Sequence, residues 1–430
     1  MTPATETLAV AGLWVIAACL VATSQPLIAF ANGVGFDGQH YYAMASQLLG
    51  AHRPEAVAPF AYRVGTPLLA SFVSRLTDWP LVAAFRTVNL AASLATTLLL
   101  MHWMRRHVSR GPGRWLALIF FLCTPYGPLR FSVFYPVLTD PLATLFIVAG
   151  FDVTDWVRDR PMVSRAAWLA GLVILGVLVR EVALVVALAF VVTPFERSES
   201  LWVGRWIPLA GGLLALLLVR AWPVEVPSSY SFWDGVQYWM RWKTPAQMTL
   251  APLLVFGPLL TLPLYFWRTT AGLLAERPDW LAAVMCVGVL AWIGGSDTER
   301  ILVFASPVIW LLIADALNRI EPAQVRWLAL AVILELLSLR IFVAIDGRSF
   351  TTPGLSWLSK YDSFWSFSVT RAELRTLAAW YAGAAVVLLT SLWWLDRSST
   401  RPNEQWLTTT RRSRAARPAH TGSGPKGSAP

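Results

Sequence analysis

The chain has 430 residues, 56% of them hydrophobic and only 14% charged, with a mean hydropathy of +0.54. A soluble globular domain carries about 25% charged residues, so this composition excludes a soluble protein and points to a polytopic membrane protein. The net charge of +10 does not argue for a nucleic-acid partner, because the basic residues sit in short loops between apolar runs and in the C-terminal tail.

Stretches approaching the roughly 20 apolar residues that cross a bilayer core fall at residues 8–30, 81–104, 115–129, 137–155, 166–193, 206–222, 250–267, 280–293, 301–317, 327–342 and 377–395. The first has no basic segment before it and no small-residue cleavage site, so it reads as a retained helix rather than a signal peptide. Tryptophans recur at span ends (Trp103, Trp115, Trp206, Trp222, Trp267, Trp280, Trp327, Trp394), as interfacial anchors do. Cys19, Cys123 and Cys286 lie far apart inside apolar runs, which suggests buried thiols and neither a disulfide framework nor a zinc site.

The loop 105–114 holds Arg105, Arg106, Arg110 and Arg114 and is expected to be cytoplasmic, with 156–165 and the arginine-rich tail. The tail reaches that side only if the run 166–193 crosses twice, turning at Arg180-Glu181. One long helix would instead leave both charges near mid-membrane, at about 2.5–3.5 kcal/mol each. The expected fold is therefore all-α, with about 11–13 transmembrane helices, about twelve being favoured. It forms a single multi-pass domain over residues 1–396 in the inner (plasma) membrane, with both termini cytoplasmic. Residues 397–430, rich in Arg, Ser, Thr, Gly and Pro, are expected to be a disordered basic tail lying against anionic head groups.

This topology sends Asp37, Asp140, Arg180, Glu181, Asp297 and Arg300 to the non-cytoplasmic face, with three longer loops at 31–80, 223–249 and 346–375. Residues 38–49 read as an amphipathic helix, with Tyr41, Met44, Ala45, Leu48 and Leu49 on one stripe, Asp37 at the N-cap position and Gly50 as the stop. Residues 67–76 carry a second stripe, Leu68, Leu69, Phe72, Val73 and Leu76. Both helices are expected along the outer membrane surface.

An Asp at the end of the first span, followed by an aromatic-rich juxtamembrane helix, resembles the GT-C superfamily of membrane glycosyltransferases. Those enzymes typically carry Asp-Glu or Asp-Asp in this loop, often with Tyr-Tyr a few residues on. Here the pattern is Asp37-Gly38 with Tyr41-Tyr42. Thr139-Asp140-Pro141 and Arg180-Glu181-Val182-Ala183-Leu184 are similar to further elements of bacterial members. The likeness covers about residues 8–194. It places a GT-C-like module at about 8–222, with further spans over 250–396.

The resemblance implies inverting transfer of a sugar from a polyprenyl-phosphate carrier to an acceptor hydroxyl at the outer face; the acceptor is a glycan, a lipid or a protein. Such a reaction needs a carboxylate to take the acceptor proton and cations to stabilise the leaving phosphate, a task that suits the planar fork of arginine. Asp37 is the candidate base, with helix capping as the compatible alternative. For Asp140 capping is favoured over substrate binding. Arg180 could face the donor phosphate while Glu181 orients it, or form a structural ion pair with Asp140 or Asp37. Arg300 is a phosphate-binding candidate beside the reading as an outer-loop pair with Asp297. Arg63 could lie near the acceptor or be an exposed loop arginine. His40 and Tyr41 could assist substrate binding, although a solvated His40 is favoured, and the aromatic loop 230–239 could stack on sugars or anchor at the interface. His102 and His107 read as interfacial. Because Gly38 replaces the usual second acid, no divalent metal is expected, and no other cofactor. The competing readings are a transporter or flippase for a lipid-linked glycan and a non-catalytic scaffold.

Overall fold

The computed structural model describes residues 2–194, 202–222, 224–225, 231–295, 297–320, 325–340 and 370–398. The tail beyond 398, Tyr230, residues 341–342 of one expected span and most of the loop 346–375 lie outside the described residues. The chain divides into two compact units, Met1–Leu389 and Thr390–Pro430. The described elements are helical apart from a two-residue parallel pairing of β1 (Glu55–Ala56) with β2 (Val224–Glu225). This is a polytopic, all-α membrane architecture.

Among the described residues, seven helices are long and apolar enough to cross a membrane, or eight if one bent pair counts as a span. The first, α1 (Pro3–Ser24), starts where Thr2 accepts from the Thr5 amide and stops at Gln25, whose conformation Pro26 restricts; residues 25–30 lie outside the helix. Then follow α2 (Gly38–Leu49), α3 (Gly65–Thr77) and the long α4 (Leu81–His107). A turn at Thr124–Gly127 divides the next span into α5 (Pro112–Cys123) and α6 (Pro128–Phe134). Next are α7 (Asp140–Trp156), α8 (Met162–Val179), α9 (Leu184–Val192) and α10 (Ile207–Ala221).

In the second half, α11 (Phe232–Trp242) precedes α12 (Pro245–Phe256), which opens with a capping box of Thr244 and Gln247. A 106° bend at Gly257 separates α12 from the segment containing α13 (Thr261–Tyr265). The series closes with α14 (Trp267–Glu276), α15 (Pro278–Ile293), α16 (Thr298–Leu302), α17 (Ser306–Leu317), α18 (Val325–Ser338) and α19 (Arg371–Ser398). The expected spans not among the seven thus fall on shorter helices, α7, α9, α15 and α18, of 17, 9, 16 and 14 residues, and on the bent α12–α13 pair.

Polar contacts fix the direction of the helices around α7. At its start, Asn89 of α4 donates to the carbonyls of Pro136 and Leu138 at 2.7 and 2.8 Å. At its far end, Asp155 accepts from Trp103 at 2.7 Å and pairs with His107 at 2.6 Å and Arg277 at 3.0 Å, so α4 and α7 run the same way. Thr193 and Arg277 border one cleft with Thr154 and Arg158. The chain therefore rises along α8 and returns along α9, a hairpin with Arg180-Glu181 at its tip. The break is local: Arg180 is extended (φ −164°, ψ 135°), and a 3-10 turn, Glu181–Ala183, leads into α9.

Exposure shows which faces meet lipid. Only 6% of the apolar window of α1 is buried, and Leu8, Ile16 and Leu20 stand 72%, 61% and 64% exposed. On α2 the expected stripe turns inward through Tyr41, Met44 and Ala45. On α3 the arrangement is reversed. Leu68, Leu69, Phe72 and Leu76 face out, while Pro67, Ala70, Ser71 and Ser74 pack inward. That is the disposition of a helix resting its apolar side in a membrane.

Three expected interfacial anchors are buried instead. Trp103 donates to Asp155, Trp280 stacks edge-on to Trp103, and Trp327 donates to the Leu388 carbonyl at 3.1 Å. Trp103 and Trp327 have polar partners inside the protein, so the interface is not needed to satisfy their indoles, whereas Trp280 Nε1 has no hydrogen-bond partner among the described residues. Cys19, expected buried, is exposed on lipid-facing α1.

Candidate functional site

The site is built at the start of α7, from segments distant in sequence. Asp140 is the first residue of α7 and is buried. Arg300, on α16, gives it a two-point fork, with Nε donating to Oδ1 at 3.4 Å and Nη2 to Oδ2 at 3.1 Å. Arg180, at the hairpin tip, brings Nη1 to 2.5 Å from Asp140 Oδ1 as an ion pair without hydrogen-bond geometry. Its guanidinium also lies over the Phe304 ring at 5.2 Å. The remaining nitrogen of the Arg300 fork, Nη1, donates to Asp37 Oδ2 at 3.0 Å and to Asp297 Oδ2. One guanidinium thus gathers three carboxylates from three chain segments.

Asp37 stands at the N-cap position of α2 but makes no capping hydrogen bond. The amide at the helix start, that of Gly38, donates instead to the Tyr135 hydroxyl at 3.0 Å. The Asp37 side chain is 33% exposed against 6% for Asp140, and its Oδ1 has no hydrogen-bond partner among the described residues. Gly38 is a close approach: a Cβ there would lie 3.0 Å from the Tyr135 ring and 3.1 Å from the Val137 carbonyl. At Gly35, with φ +74°, a Cβ would sit 2.1 Å from the same ring. The backbone carrying Asp37 is therefore pressed onto Tyr135: a side chain is shut out at Gly35, and at Gly38 one enters only if its neighbours give by a few tenths of an ångström.

Beside this cluster lies a second. Arg63 donates through Nε to Glu181 Oε2 at 2.9 Å and through Nη2 to Oε1, and through Nη1 to the Tyr41 hydroxyl at 3.0 Å. Burial works against the Arg63 charge, but Glu181 and Tyr41 more than reverse it and hold the guanidinium well above its ordinary range. Lys243, buried in the turn between α11 and α12, donates to the Ala291 carbonyl. Burial pushes its ammonium down to about 8, only partly offset by Glu299 and Asp297.

Several sequence readings change. Asp140, for which capping was favoured, uses its carboxylate on two arginines. Glu181 holds Arg63 rather than orienting Arg180, because the extended Arg180 backbone sends the two side chains apart. Arg300 is not in an ordinary outer-loop pair; it is buried at the centre of the cluster. Arg63 is not an exposed loop arginine. Tyr41 is fully buried as a partner of Arg63, whereas His40 stacks on Phe60 at 4.3 Å and stays outside both clusters. His107 is tied to Asp155 at the opposite end of the bundle. Lys243 and Tyr135 were missed. Lys243 is one of only three lysines in the chain, a signal that was available; Tyr135 lies in an aromatic run that gave none.

The acids Asp37, Asp140, Glu181, Asp297 and Glu299 stand against the cations Arg63, Arg180, Lys243 and Arg300, so the neighbourhood is close to neutral overall. Among the described residues no group of three or more His, Cys, Asp or Glu side chains is set to hold a metal ion. The arrangement offers one partly open carboxylate next to buried guanidinium groups, a pairing that can take a proton and face an oxyanion.

The fold is GT-C-like by its likeness to solved structures. The chain is similar to ArnT from Cupriavidus metallidurans bound to undecaprenyl phosphate, at 14% identity over 90% of this chain and 77% of that one, with a TM-score of 0.57. The apo state of the same protein gives 15% identity, the same coverage and a TM-score of 0.58. A weaker likeness, with a TM-score of 0.49 and 12% identity, is to the Archaeoglobus fulgidus oligosaccharyltransferase, covering 95% of this chain and 57% of that one. No protein-family model matches the sequence, and no curated protein matches it.

Proposed function

We propose that this protein is a glycosyltransferase that moves a sugar from a polyprenyl-phosphate carrier to an acceptor hydroxyl at the outer face of the membrane. The fold shared with an undecaprenyl-phosphate-bound protein supports the donor class. One observation carries the site assignment: Asp37, Asp140 and Asp297 converge on Arg300, and Asp37 is the most exposed of the three, at 33% against 6% and 26%, with no hydrogen bond to its Oδ1 among the described residues. The basic loop 105–114 lies at the other end of α7, and the charge rule, which expects that loop in the cytoplasm, supports an outer position for this cluster.

Because the empty site is close to neutral, an incoming donor phosphate has to compete with a carboxylate for a guanidinium. Asp37 is the least buried partner and the one to yield. In this reading the phosphate takes up Arg300 and Arg180 as Asp37 is released toward the acceptor. Asp37 then accepts the hydroxyl proton, the acceptor oxygen bonds to the anomeric carbon, and the bond from that carbon to the phosphate oxygen breaks. The electron pair leaves on polyprenyl phosphate, stabilised by the arginines. Asp140 holds both arginines in place throughout. No divalent metal is needed, since guanidinium groups supply the charge.

The test is Asp37→Asn in membranes supplied with undecaprenyl-phosphate-linked sugars, followed by release of undecaprenyl phosphate. Release falls by at least about 100-fold, the scale of a lost general base, while the variant inserts and melts as the parent does. Unchanged turnover removes Asp37 from the chemistry. Transfer by the parent is expected to persist in EDTA; its abolition there, with recovery on adding Mg²⁺ or Mn²⁺, would refute the metal-independent reading.

A further inference from the structure

At the end of the bundle away from this cluster, the first turn of α1, the last turn of α4 and the first turn of α5 enclose a cavity of about 410 Å³. Arg105, Arg106, Arg110 and Arg114 line it with His107, against the single carboxylate of Glu6. Glu6 lies 3.3 Å from Arg105 Nε and 3.8 Å from Arg114 Nη2, and Arg106 turns toward Asp152 at 3.4 Å. Arg110 is exposed and makes no ion pair among the described residues.

Helix electrostatics account for Arg105, Arg106 and His107, which close the C-terminus of α4, where cations are stabilised. They do not account for Arg114. It is the third residue of α5, where the helix dipole disfavours a cation, and its side chain is only 7% exposed. Its Nε is buried with no hydrogen-bond partner. A guanidinium nitrogen so placed is costly unless an anion with several acceptor oxygens completes it.

The surroundings identify the bearer of that anion. The helix that supplies Glu6 to the cavity wall, α1, is also the one least covered by protein, with 6% of its apolar window buried, so lipid lies against most of its circumference. A basic pocket at the end of a helix so immersed in lipid is a headgroup site by its chemistry. We propose that the cavity binds the phosphate of an anionic phospholipid whose acyl chains lie along α1. The site is separated from the Arg300 cluster by the 17 residues of α7, about 25 Å, and is independent of the transfer reaction.

The full chain in neutral detergent is titrated with phosphatidylglycerol, phosphatidylcholine or inorganic phosphate, and retained ligand is read by native mass spectrometry. Phosphatidylglycerol is expected to stay bound where phosphatidylcholine does not. Arg114→Gln weakens that binding about fivefold. Arg110→Gln, in an exposed loop that leaves the fold intact, weakens it to a similar extent and decides the matter if Arg114→Gln fails to fold. Equal retention of phosphatidylcholine, or undiminished retention of phosphatidylglycerol in the Arg110→Gln protein, overturns the proposal. Displacement of phosphatidylglycerol by an equal concentration of inorganic phosphate assigns the cavity to free phosphate and overturns the lipid source.

Discussion

The guanidinium of Arg300 gives two nitrogens to Asp140 and shares the third with Asp37 and Asp297. Lysine could not reproduce this geometry, since a point charge lacks the planar fork. Arg300→Ala leaves buried Asp140 with Arg180 alone, and removing one member of a buried pair costs about 3–5 kcal/mol. We expect Arg300→Ala to lower the melting temperature in detergent sharply and Arg300→Lys to recover only part of the loss. Full recovery by lysine would show that charge, not shape, is what the site uses. Lys243 offers a pH-dependent readout. Its folded value, about 8, lies below the ordinary 10.5, so between these values the unfolded chain binds more protons and this residue makes stability rise with pH. Lys243→Gln removes that rise over pH 8–10.5, measured as melting temperature against pH. A slope identical to the parent's would mean that other groups set it.

At the scale of elements, α2 is the part most readable from sequence. Its bounds, Gly38–Leu49, and the members of its apolar stripe follow from helical periodicity and the Gly50 stop, but the inward direction of that stripe does not, since the like stripe of α3 faces out. The role of its first residues was not readable, because Asp37 and Gly38 answer to Arg300 and Tyr135, 263 and 97 positions away. Local pattern reports caps and periods; it carries nothing about long-range partners. The same limit explains Glu181, whose partner Arg63 lies 118 residues away. Two adjacent charges are costly inside lipid, and that cost, with the need to bring the basic tail to the cytoplasmic side, pointed to a hairpin turning at Arg180-Glu181. Gly38→Asp would supply the second acid of the resembling pattern, yet the Tyr135 ring and Val137 carbonyl crowd its Cβ at 3.0 and 3.1 Å. We expect it to destabilise the protein by about 1–3 kcal/mol through overpacking, seen as a lower melting temperature, and to confer no metal dependence. A stable, Mg²⁺-stimulated Gly38→Asp enzyme would contradict the close approach.

Across the whole molecule, the membrane class and the gathering of Asp37, Asp140, Arg180, Asp297 and Arg300 at one end of the bundle were legible, since composition and charge asymmetry act on the scale of the bilayer. The number of long helices was less so: a run of apolar residues does not reveal a turn such as Thr124–Gly127 or the 106° bend at Gly257. The polar contacts separate a cluster end from a basic end, and single cysteines introduced at Ser231 and Ser109 of a chain lacking its native thiols should react with a membrane-impermeant maleimide from opposite sides. Labelling of both from one side would break the direction assigned to the helices.

The outward apolar face of α3 has one more consequence. Leu68, Leu69, Phe72 and Leu76 give this helix a preferred depth in the lipid, while the hairpin tip with Arg180 is carried on α8 and the nine-residue α9. The chain just before α3 is forked onto that tip through Arg63 and Glu181. A helix whose depth the lipid sets is thus tied to a tip whose height a helix sets, and reconstitution into lipids of increasing acyl length should strain the Arg63–Glu181 link.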